Sequence, residues 1–362
     1  MSIAARARAA RAKNKNWEEQ DMNFFGVKTA LRAAGVAVAM IGTAGIAHAE
    51  RPDDGLVFKY QEAVKGKTVA FVPISMGFDL TQGWVAAVQR EADALGYELI
   101  IRDPNWSVDA GAQALEQLIG EQPDILIFHN NDTQAYTKLV QRAMSAGINV
   151  IQMNLKTPVN ADAFVGGDWY QVGADVAKET VKLCGEGTSG KVALVRGPVT
   201  SPASQLGVVG IEDVLADHPE IELVANQAAD WDASKAHAIA STIIKQHDDL
   251  CAFMGLWDNM DVGTAAAVRE AGKQGQIKVV TEGGGNQESG CNNIENGAFT
   301  SYIKVDTRSQ AHQLANVISI LLQQSPEPGS MPIGLYTANQ VITADTLTPS
   351  SCWTLDQIKA GN

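Results

Sequence analysis

Short β-branched runs alternate with helical segments along most of the chain after Gly66. The first four runs lie at 68–74, 98–102, 124–128 and 149–153, and each is almost continuously apolar. Strands of this kind are typical of parallel sheets whose two faces are both covered by helices. The spacing of roughly 25 to 35 residues between runs therefore predicts βαβ units and an α/β fold.

A second set of apolar runs follows Gly166 and Gly167. Its members lie at 191–195, 221–225, 251–256, 277–280 and 300–305. Two sets of strands predict two similar lobes, and the chain is long enough for two domains of ordinary size. A last run at 334–342 comes after the second set is complete. It indicates that the chain crosses between the lobes more than once.

The N-terminal residues have the pattern of a secretory signal peptide. An apolar run at 33–47 ends in the small residues Ala47 and Ala49, and it is too short to span a bilayer comfortably. We expect residues 1–49 to be cleaved, so that the protein is secreted to the periplasm. Met22 opens a compact leader without the polar residues before it, and we interpret it as the true initiator.

The charge of the expected mature chain excludes two classes of partner. The leader holds seven of the 28 Lys and Arg and three of the 41 Asp and Glu, which leaves 21 basic and 38 acidic residues and a net charge of −17. A chain this acidic is repelled by nucleic acid and by anionic membrane surfaces. Neither is an expected partner.

The four cysteines are far apart in the sequence. They form no CxxC pair and no Cys/His spacing suited to zinc, so we expect no metal site. Export permits disulfides. We expect at most one bridge, Cys291 to Cys352, because Cys184 and Cys251 lie in apolar surroundings where a buried thiol is the commoner state.

Aromatic residues stand beside carboxylates and amides where the predicted strands end. Trp231 and Trp257, each flanked by Asp, are the clearest examples, whereas we expect Trp84 and Trp106 to be packing residues. Ligands of doubly wound sheets bind beyond these strand ends. Aromatic faces pack on the C–H patches of a sugar, and planar carboxylates and amides bond its hydroxyls. The pattern predicts a polyhydroxylated ligand. His129 is interpreted as a satisfied or solvated imidazole.

Several segments together carry a family resemblance. KTVAFVPIS, EADALGYELIIRD, PDILIFHNNDTQA, KVALVRGP and DWDASKA resemble the type I periplasmic sugar-binding proteins of the ribose and galactose group, which serve ABC transporters. The resemblance extends over roughly residues 66 to 345, with order and spacing kept. It implies an α/β protein with two Rossmann-like lobes, the type I periplasmic binding protein fold.

The resemblance also implies how the lobes are joined. Three strands near 163–167, 305–307 and 335–339 would form the hinge. The expected lobes are described by four segments: the N-terminal lobe contains 50–166 and 305–336, and the C-terminal lobe contains 167–304 and 337–362. A ligand that contacts both lobes favours the closed state.

The same resemblance implies a set of ligand-binding residues, which are Phe78, Asp79, Leu80, Asn154, Gln205, Trp231, Trp257, Asp258, Glu282 and Lys304. Two positions that commonly hold Arg are occupied by Leu155 and Gln205. Ribose itself is therefore not the expected ligand. Another pentose, a hexose or an acyclic sugar alcohol remain the alternatives.

We therefore predict an extracytoplasmic solute-binding protein that captures a sugar or sugar alcohol and delivers it to the membrane permease of an ABC importer. We expect a monomer without cofactor or catalytic activity. One alternative is a sensory sugar-binding protein that presents its closed form to a chemoreceptor or receptor kinase. A less favoured alternative is a carbohydrate-active enzyme, with Asp79 and Glu282 as paired carboxylates.

Overall fold

The computed structural model describes residues 55–361. The predicted signal peptide, 1–49, lies outside the described residues. In chain order the strands are β1 (Thr68–Val72), β2 (Glu98–Ile101), β3 (Ile125–Phe128), β4 (Asn149–Met153), β5 (Ala163–Gly167), β6 (Lys191–Arg196), β7 (Glu222–Ala228), β8 (Ala252–Gly255), β9 (Lys278–Gly283), β10 (Ser301–Val305), β11 (Ile333–Thr337) and β12 (Asn339–Ile342).

Helices connect these strands. They are α1 (Leu56–Val64), α2 (Asp79–Leu95), α3 (Val108–Glu121), α4 (Thr137–Ser145), α5 (Trp169–Cys184), α6 (Pro202–Ala216), α7 (Ala233–Gln246), α8 (Asp258–Glu270), α9 (Asn292–Glu295), α10 (Thr307–Gln324) and α11 (Leu355–Ala360). A π-helical turn at Gln287–Cys291 precedes α9. None of the helices in this part of the chain has the length and hydropathy needed to cross a bilayer.

The strands form two six-stranded sheets, of order β11-β5-β4-β3-β1-β2 and β12-β10-β9-β8-β6-β7. Neighbouring strands are parallel, apart from the antiparallel pair β10 and β12. Five strands of each sheet follow the order 2-1-3-4-5 of a doubly wound fold. The predicted α/β fold with two Rossmann-like lobes is confirmed. We call the part around the first sheet the first lobe and the part around the second sheet the second lobe.

Local sequence signals set several helix ends. Asp232 caps α7 by accepting from the backbone N–H groups of Ser234 and Lys235, at 2.7 and 3.0 Å. Helix α2 ends at Gly96, whose φ of 80° is the left-handed conformation that glycine adopts without strain. The cap at Asp232 fixes the N-terminus of α7 immediately after Trp231, just beyond the carboxyl end of β7.

The chain passes between the sheets after β5, after β10 and after β11. Two of these crossings touch, because a Cβ built on Gly167 would lie 2.9 Å from Cγ1 of Val305. The run 334–342, expected to be one strand, is divided at Ala338 into β11 and β12. The division arises because one apolar run supplies an edge strand to each sheet.

The end of the chain contacts both lobes. Strand β12 pairs with β10 of the second sheet, but Trp353 and Ile358 lie in the hydrophobic core of the first lobe. The indole Nε1 of Trp353 donates to the carbonyl of Gly284 at 2.7 Å. The segment 337–362, expected in the second lobe, therefore places its last residues against the first, because Trp353 and Ile358 find their apolar burial there.

The structure contains two disulfides in its described part. Cys291 joins Cys352 as expected, and Cys184 joins Cys251 as well, with Cα atoms 6.0 and 5.8 Å apart. The expectation of at most one bridge is wrong. Cys184 and Cys251 are buried, but the end of α5 packs beside the start of β8, so the tertiary fold brings the two thiols together.

Candidate functional site

A cavity lies between the lobes at the carboxyl ends of the strands. It is lined by Ile74, Phe78, Leu80, Trp106, His129, Asn154, Leu155, Trp169, Ala203, Trp231, Leu256, Trp257, Glu282, Gly283, Gly284 and Val305. Both lobes contribute, and most of the lining side chains are apolar. Parallel strands whose carboxyl ends face each other across a cleft create this position for a ligand.

Four aromatic side chains form the centre of the cavity wall, and we call them the aromatic box. Phe78 and Trp106 belong to the first lobe and stack with ring centroids 5.2 Å apart. Trp231 and Trp257 belong to the second lobe and meet edge to face at 5.8 Å. Trp257 also lies 5.7 Å from Phe78 and 5.9 Å from Trp106. The box therefore closes only when the lobes meet.

The backbone aims three of the cavity residues inward through an uncommon conformation. Trp106, Asn154 and Trp231 have φ values of 70°, 60° and 64°. A positive φ is rare outside glycine and costs about 1–3 kcal/mol at each position. The surrounding structure has to hold such residues in place. Their concentration at the cavity therefore supports a binding role for this region.

The polar side chains of the cavity are few. Nδ2 of Asn154 lies 3.4 Å from Nε2 of His129, while Oδ1 of Asn154 and Nδ1 of His129 have no hydrogen-bond partner among residues 55–361. Burial lowers the pKa of His129 to about 3, so this imidazole is neutral. Both groups are available to the hydroxyls or other polar groups of a ligand.

Glu282 supplies the carboxylate of the cavity. Its side chain is 3% exposed, and no side chain or backbone N–H of the described residues donates to its carboxyl oxygens. Burial, followed by the nearby carboxylates of Asp258 and Asp261, raises its pKa well above the usual value. A group of this kind is held protonated until a donor or a cation approaches it.

Asp79 and Asp258 lie beside the cavity and join the two lobes. Oγ of Ser289 is 3.0 Å from Oδ2 of Asp79 and 3.0 Å from Oδ2 of Asp258. Nδ2 of Asn259 donates to Oδ1 of Asp79 at 3.1 Å, and the Tyr302 hydroxyl donates to Asp258 at 2.8 Å. We call Asp79, Asp258, Asn259 and Ser289 the acidic latch.

Burial raises the pKa of both latch carboxyls. The pKa of Asp79 is raised chiefly by burial, although the hydrogen bond from Ser289 opposes the change. The pKa of Asp258 rises to about 8, through burial first and then through the charge of Asp79. The latch therefore holds at least one carboxyl proton near neutral pH.

A second contact between the lobes lies at Thr133. Its backbone N–H and its hydroxyl both donate to the carbonyl of Thr200, at 3.0 and 2.6 Å. Oε1 of Gln205 lies 3.1 Å from the Thr133 hydroxyl, and Nε2 of Gln205 donates to the carbonyl of Val199. The two contacts show that the described structure is the closed arrangement of the lobes.

Lys304 is turned away from the cavity. Strands β9 and β10 pair Glu282 with Ile303 and Gly283 with Lys304, so Glu282 and Lys304 point to opposite faces of the sheet. Nζ of Lys304 donates to the carbonyl of Ser351 at 2.9 Å, and the side-chain stem lies against Gly285. Burial lowers the pKa of Lys304.

The structure thus divides the ten predicted binding residues. Six line the cavity: Phe78, Leu80, Asn154, Trp231, Trp257 and Glu282. Asp79, Asp258 and Gln205 lie at contacts between the lobes, and Lys304 contacts the chain end.

Sequence reasoning left three lining residues out of the predicted site, which are Trp106, Trp169 and His129. His129 was interpreted as a satisfied or solvated imidazole, yet it is buried and its Nδ1 has no partner among residues 55–361, because the ring faces the cavity. Trp106 was expected to be a packing residue, yet its ring stacks on Phe78 in the cavity wall. Trp84 is a packing residue, fully buried, with its Nε1 donating to Gln310 at 3.0 Å. All three residues stand at or just after the end of a predicted strand, and this position is the sequence feature that could have identified them.

The site is suited to binding. Asp79, one of the two carboxylates of the enzyme alternative, is held by Asn259 and Ser289 and does not line the cavity with Glu282. Among residues 55–361 no three His, Cys, Asp or Glu side chains converge on a point where a metal could bind. What the cavity provides is aromatic surface, one amide, one neutral imidazole and one carboxyl.

Two doubly wound lobes with an aromatic cavity between their strand ends define a two-lobed binding protein of the type I periplasmic fold. Residues 69–326 match the family model described as the periplasmic binding protein domain. The chain belongs to the periplasmic binding protein family. The members of this family are transport binding proteins and not enzymes, in line with the prediction from the sequence.

Curated relatives are similar over part of their length. A D-ribose/D-allose-binding protein of Pseudomonas aeruginosa is 29% identical over 212 residues, which cover 56% of this chain and 66% of the relative. The D-allose-binding periplasmic protein of Escherichia coli is 33% identical over 150 residues, covering 39% of this chain and 48% of the relative. The matched segments thus span less than two thirds of either relative.

Solved structures show the same fold. A solute-binding protein of an ABC transporter from Burkholderia graminis, in complex with D-arabinose, is 21% identical with a TM-score of 0.71, and the match covers 80% of this chain and 99% of the other. A periplasmic solute-binding protein from Actinobacillus succinogenes, with bound D-allose, is 20% identical with a TM-score of 0.66, and the match covers 81% and 99%.

Proposed function

We propose that this protein captures a sugar or sugar alcohol in the aromatic cavity and delivers it to the permease of an ABC importer. The observation that carries the proposal is the aromatic box, because its rings offer flat apolar surfaces from both lobes to one ligand. Such faces pack against the C–H patches of a sugar ring. The curated relatives are named as binding proteins for D-ribose and D-allose, and these sugars support the same ligand class.

The ligand acts by favouring the closed state. In this proposal Phe78, Leu80 and Asn154 contact it from the first lobe, and Trp231, Trp257 and Glu282 contact it from the second. A ligand that touches both lobes stabilises the closed arrangement by its additional contacts there. The acidic latch and the Thr133 contact then hold the lobes together, and the three crossings between the sheets serve as the hinge.

The partner and the location follow from the same proposal. The protein leaves the cytoplasm through its leader, which is cleaved near Glu50, and it acts in the periplasm as a monomer. The permease recognises the closed lobes and receives the ligand when they open. Acidic residues dominate the mature chain, so protein surfaces of complementary charge are favoured as partners over lipid or nucleic acid.

The experiment is a ligand screen on the protein purified from the periplasm after expression with its leader. Pentoses, hexoses and linear polyols are tested by thermal shift, and hits are measured by calorimetry and tryptophan fluorescence. A true ligand at 100 times its Kd should stabilise the protein by about 2.7 kcal/mol. If no polyol raises the melting temperature while an amino acid or peptide does, the proposed ligand class is wrong.

A further inference from the structure

Glu282 is a buried carboxyl that receives no hydrogen bond from the residues that the structure describes. Asp258 nearby shows the contrast, because it accepts from the Ser289 and Tyr302 hydroxyls and from the backbone N–H of Asn259. No donor from residues 55–361 reaches the carboxyl oxygens of Glu282, which line the cavity. A buried carboxylate without partners is strongly disfavoured. A ligand in the cavity can supply the partner that allows Glu282 to carry its charge.

No cationic side chain among residues 55–361 neutralises Glu282. The side chains that line the cavity include neither Lys nor Arg. Lys304 on the neighbouring strand points to the opposite face of the sheet and donates to Ser351. His129, the remaining basic side chain of the cavity wall, is neutral because burial lowers its pKa to about 3.

The aromatic rings that line the same cavity as Glu282 provide the second, independent observation. Trp257 meets Phe78 at 82° and Trp231 at 86°, so the aromatic box has walls that face in different directions. A stack of parallel faces would suit a flat sugar ring alone. In these contacts the edge of one ring meets the face of the other, so the ring faces that line the cavity point in more than one direction, and the negative face of an aromatic ring attracts a cation.

We infer that the ligand carries a cationic amine, which lies in the aromatic box with Glu282 as its counter-ion. The inference rests on the proposed function, because the remainder of the ligand is a sugar or polyol. It narrows the ligand class to sugars and polyols that carry an amine. Asn154 and the neutral His129 then serve the hydroxyls, while the ammonium group pairs with the carboxylate. Charge-assisted hydrogen bonds of this kind are stronger than those between neutral groups.

The pairing has a measurable consequence for protons. Glu282 is protonated in the cavity without ligand, because burial first, and then the facing carboxyls of Asp258 and Asp261, raise its pKa well above the usual value. When an ammonium group binds, the carboxyl loses its proton to the buffer and keeps the negative charge that pairs with the cation. A neutral polyol leaves that proton in place. Binding of the amine should therefore release one proton that binding of the neutral analogue does not.

The test compares matched ligands by calorimetry in two buffers that differ in ionisation enthalpy. Glucosamine is compared with glucose, galactosamine with galactose, and choline serves as a cation without a sugar ring. We expect the amine of each pair to bind at least tenfold more tightly, with about one proton released. In the Glu282→Gln variant the preference and the proton release should both disappear.

Two further variants keep the test decisive. Glu282→Asp retains the charge and should retain the preference for the amine, which separates loss of charge from loss of fold. Glu288→Gln removes an exposed carboxylate that does not line the cavity and should change neither quantity. The melting temperature and circular dichroism of each variant check that it is folded.

The outcomes separate the two proposals. Equal or tighter binding of the neutral sugars, or no binding of any amine at millimolar concentration, overturns the inference. Neutral sugars that bind without the amines leave the proposed function in place. Choline that binds while no sugar or amino sugar does supports the cation and overturns the polyol as the ligand.

Discussion

Asp79 and Asp258 lie on opposite lobes, and their carboxylates share the single hydroxyl of Ser289. Oγ of Ser289 is 3.0 Å from an oxygen of each. One hydroxyl has one proton to donate, so the other short contact needs a proton from a carboxyl group. The closed lobes are thus joined through a cluster that binds a proton.

This relationship predicts a pH dependence of stability. The pKa of Asp258 rises to about 8 in the folded protein from an ordinary value near 3.8. The folded state therefore binds more protons than the unfolded state across that interval, and the contribution is lost as pH rises through about 8. We expect the melting temperature to fall between about pH 5 and 8, by roughly 2–4 °C for each kcal/mol lost, and to level off above pH 8.

The variant Asp79→Asn isolates the latch in this measurement. An amide at Asp79 can donate to Ser289 Oγ while the Ser289 hydroxyl donates to Asp258, so the contact survives without the like charge. We expect a smaller loss of stability with pH in this variant than in the native protein. An identical pH profile in both proteins would contradict the role of the pair.

The two tryptophans of the second lobe should carry much of the affinity. Changing Trp231 or Trp257 to Ala removes a wall of the aromatic box, and we expect at least a tenfold loss of affinity, about 1.4 kcal/mol. Calorimetry with the ligand found in the screen measures the affinity of each variant. Tyr170→Ala removes an exposed aromatic from α5 and is the control. Unchanged affinity in both tryptophan variants would assign these rings to packing alone.

Gly284 permits the close approach of the lobes. A Cβ built there would lie 2.3 Å from Oγ1 of Thr307 and 2.9 Å from Cγ of Leu80, both in the first lobe. Gly284→Ala should hold the lobes apart, weaken ligand binding and increase the radius of gyration in X-ray scattering.

The matched control for this substitution is Gly120→Ala. A Cβ at Gly120 in α3 meets no atom within 4 Å. Alanine there should stabilise the helix by about 0.5–1 kcal/mol without affecting closure. If Gly284→Ala binds ligand as tightly as Gly120→Ala, the close approach is not required for binding.

The two disulfides should differ in their effect on the ligand. Each closes a loop of similar length, with sequence separations of 67 and 61, so removal of either should cost about 4 kcal/mol by loop entropy. The pair Cys291 and Cys352 also anchors the segment before Trp353, whose indole holds the carbonyl of Gly284 in the cavity wall.

The test compares two variants, each with both cysteines of one disulfide changed to alanine. Removal of Cys291 and Cys352 should weaken ligand affinity in addition to stability. Removal of Cys184 and Cys251 should lower the melting temperature and leave the affinity of the folded protein unchanged. Calorimetry below the melting temperature of both variants tests this, and equal affinities would contradict the role of the chain end.

Much of the fold could be predicted from the sequence. Continuous apolar runs such as 124–128 identify strands buried on both faces, because a strand covered by helices on both sides has no solvent face. The pattern also located the strand ends where ligand residues gather, and Phe78, Trp231 and Trp257 all line the cavity. Edge strands were harder to predict, because nothing in the run 334–342 indicates that it divides at Ala338 into one strand for each sheet.

The site itself could be predicted only in part. Glu282 and Lys304 both stand near strand ends, yet one faces the cavity and the other faces the chain end. Their direction depends on which residue of each strand pairs with which, and a shift of one residue reverses the face. Trp106 escaped prediction because its place in the cavity wall depends on a positive φ, and no sequence signal favours that conformation for tryptophan.

The sequence by itself determined the alternation of strands and helices, the two lobes and the neighbourhood of the site, because these follow from hydrophobic periodicity along the chain. Only the tertiary structure decided that Cys184 meets Cys251, that Asp79 and Asp258 share Ser289, and that no donor among residues 55–361 reaches the carboxyl of Glu282. Each of these depends on which distant residues become neighbours. That is settled by the packing of whole elements and by the closure of the lobes, and a local pattern contains no information about either.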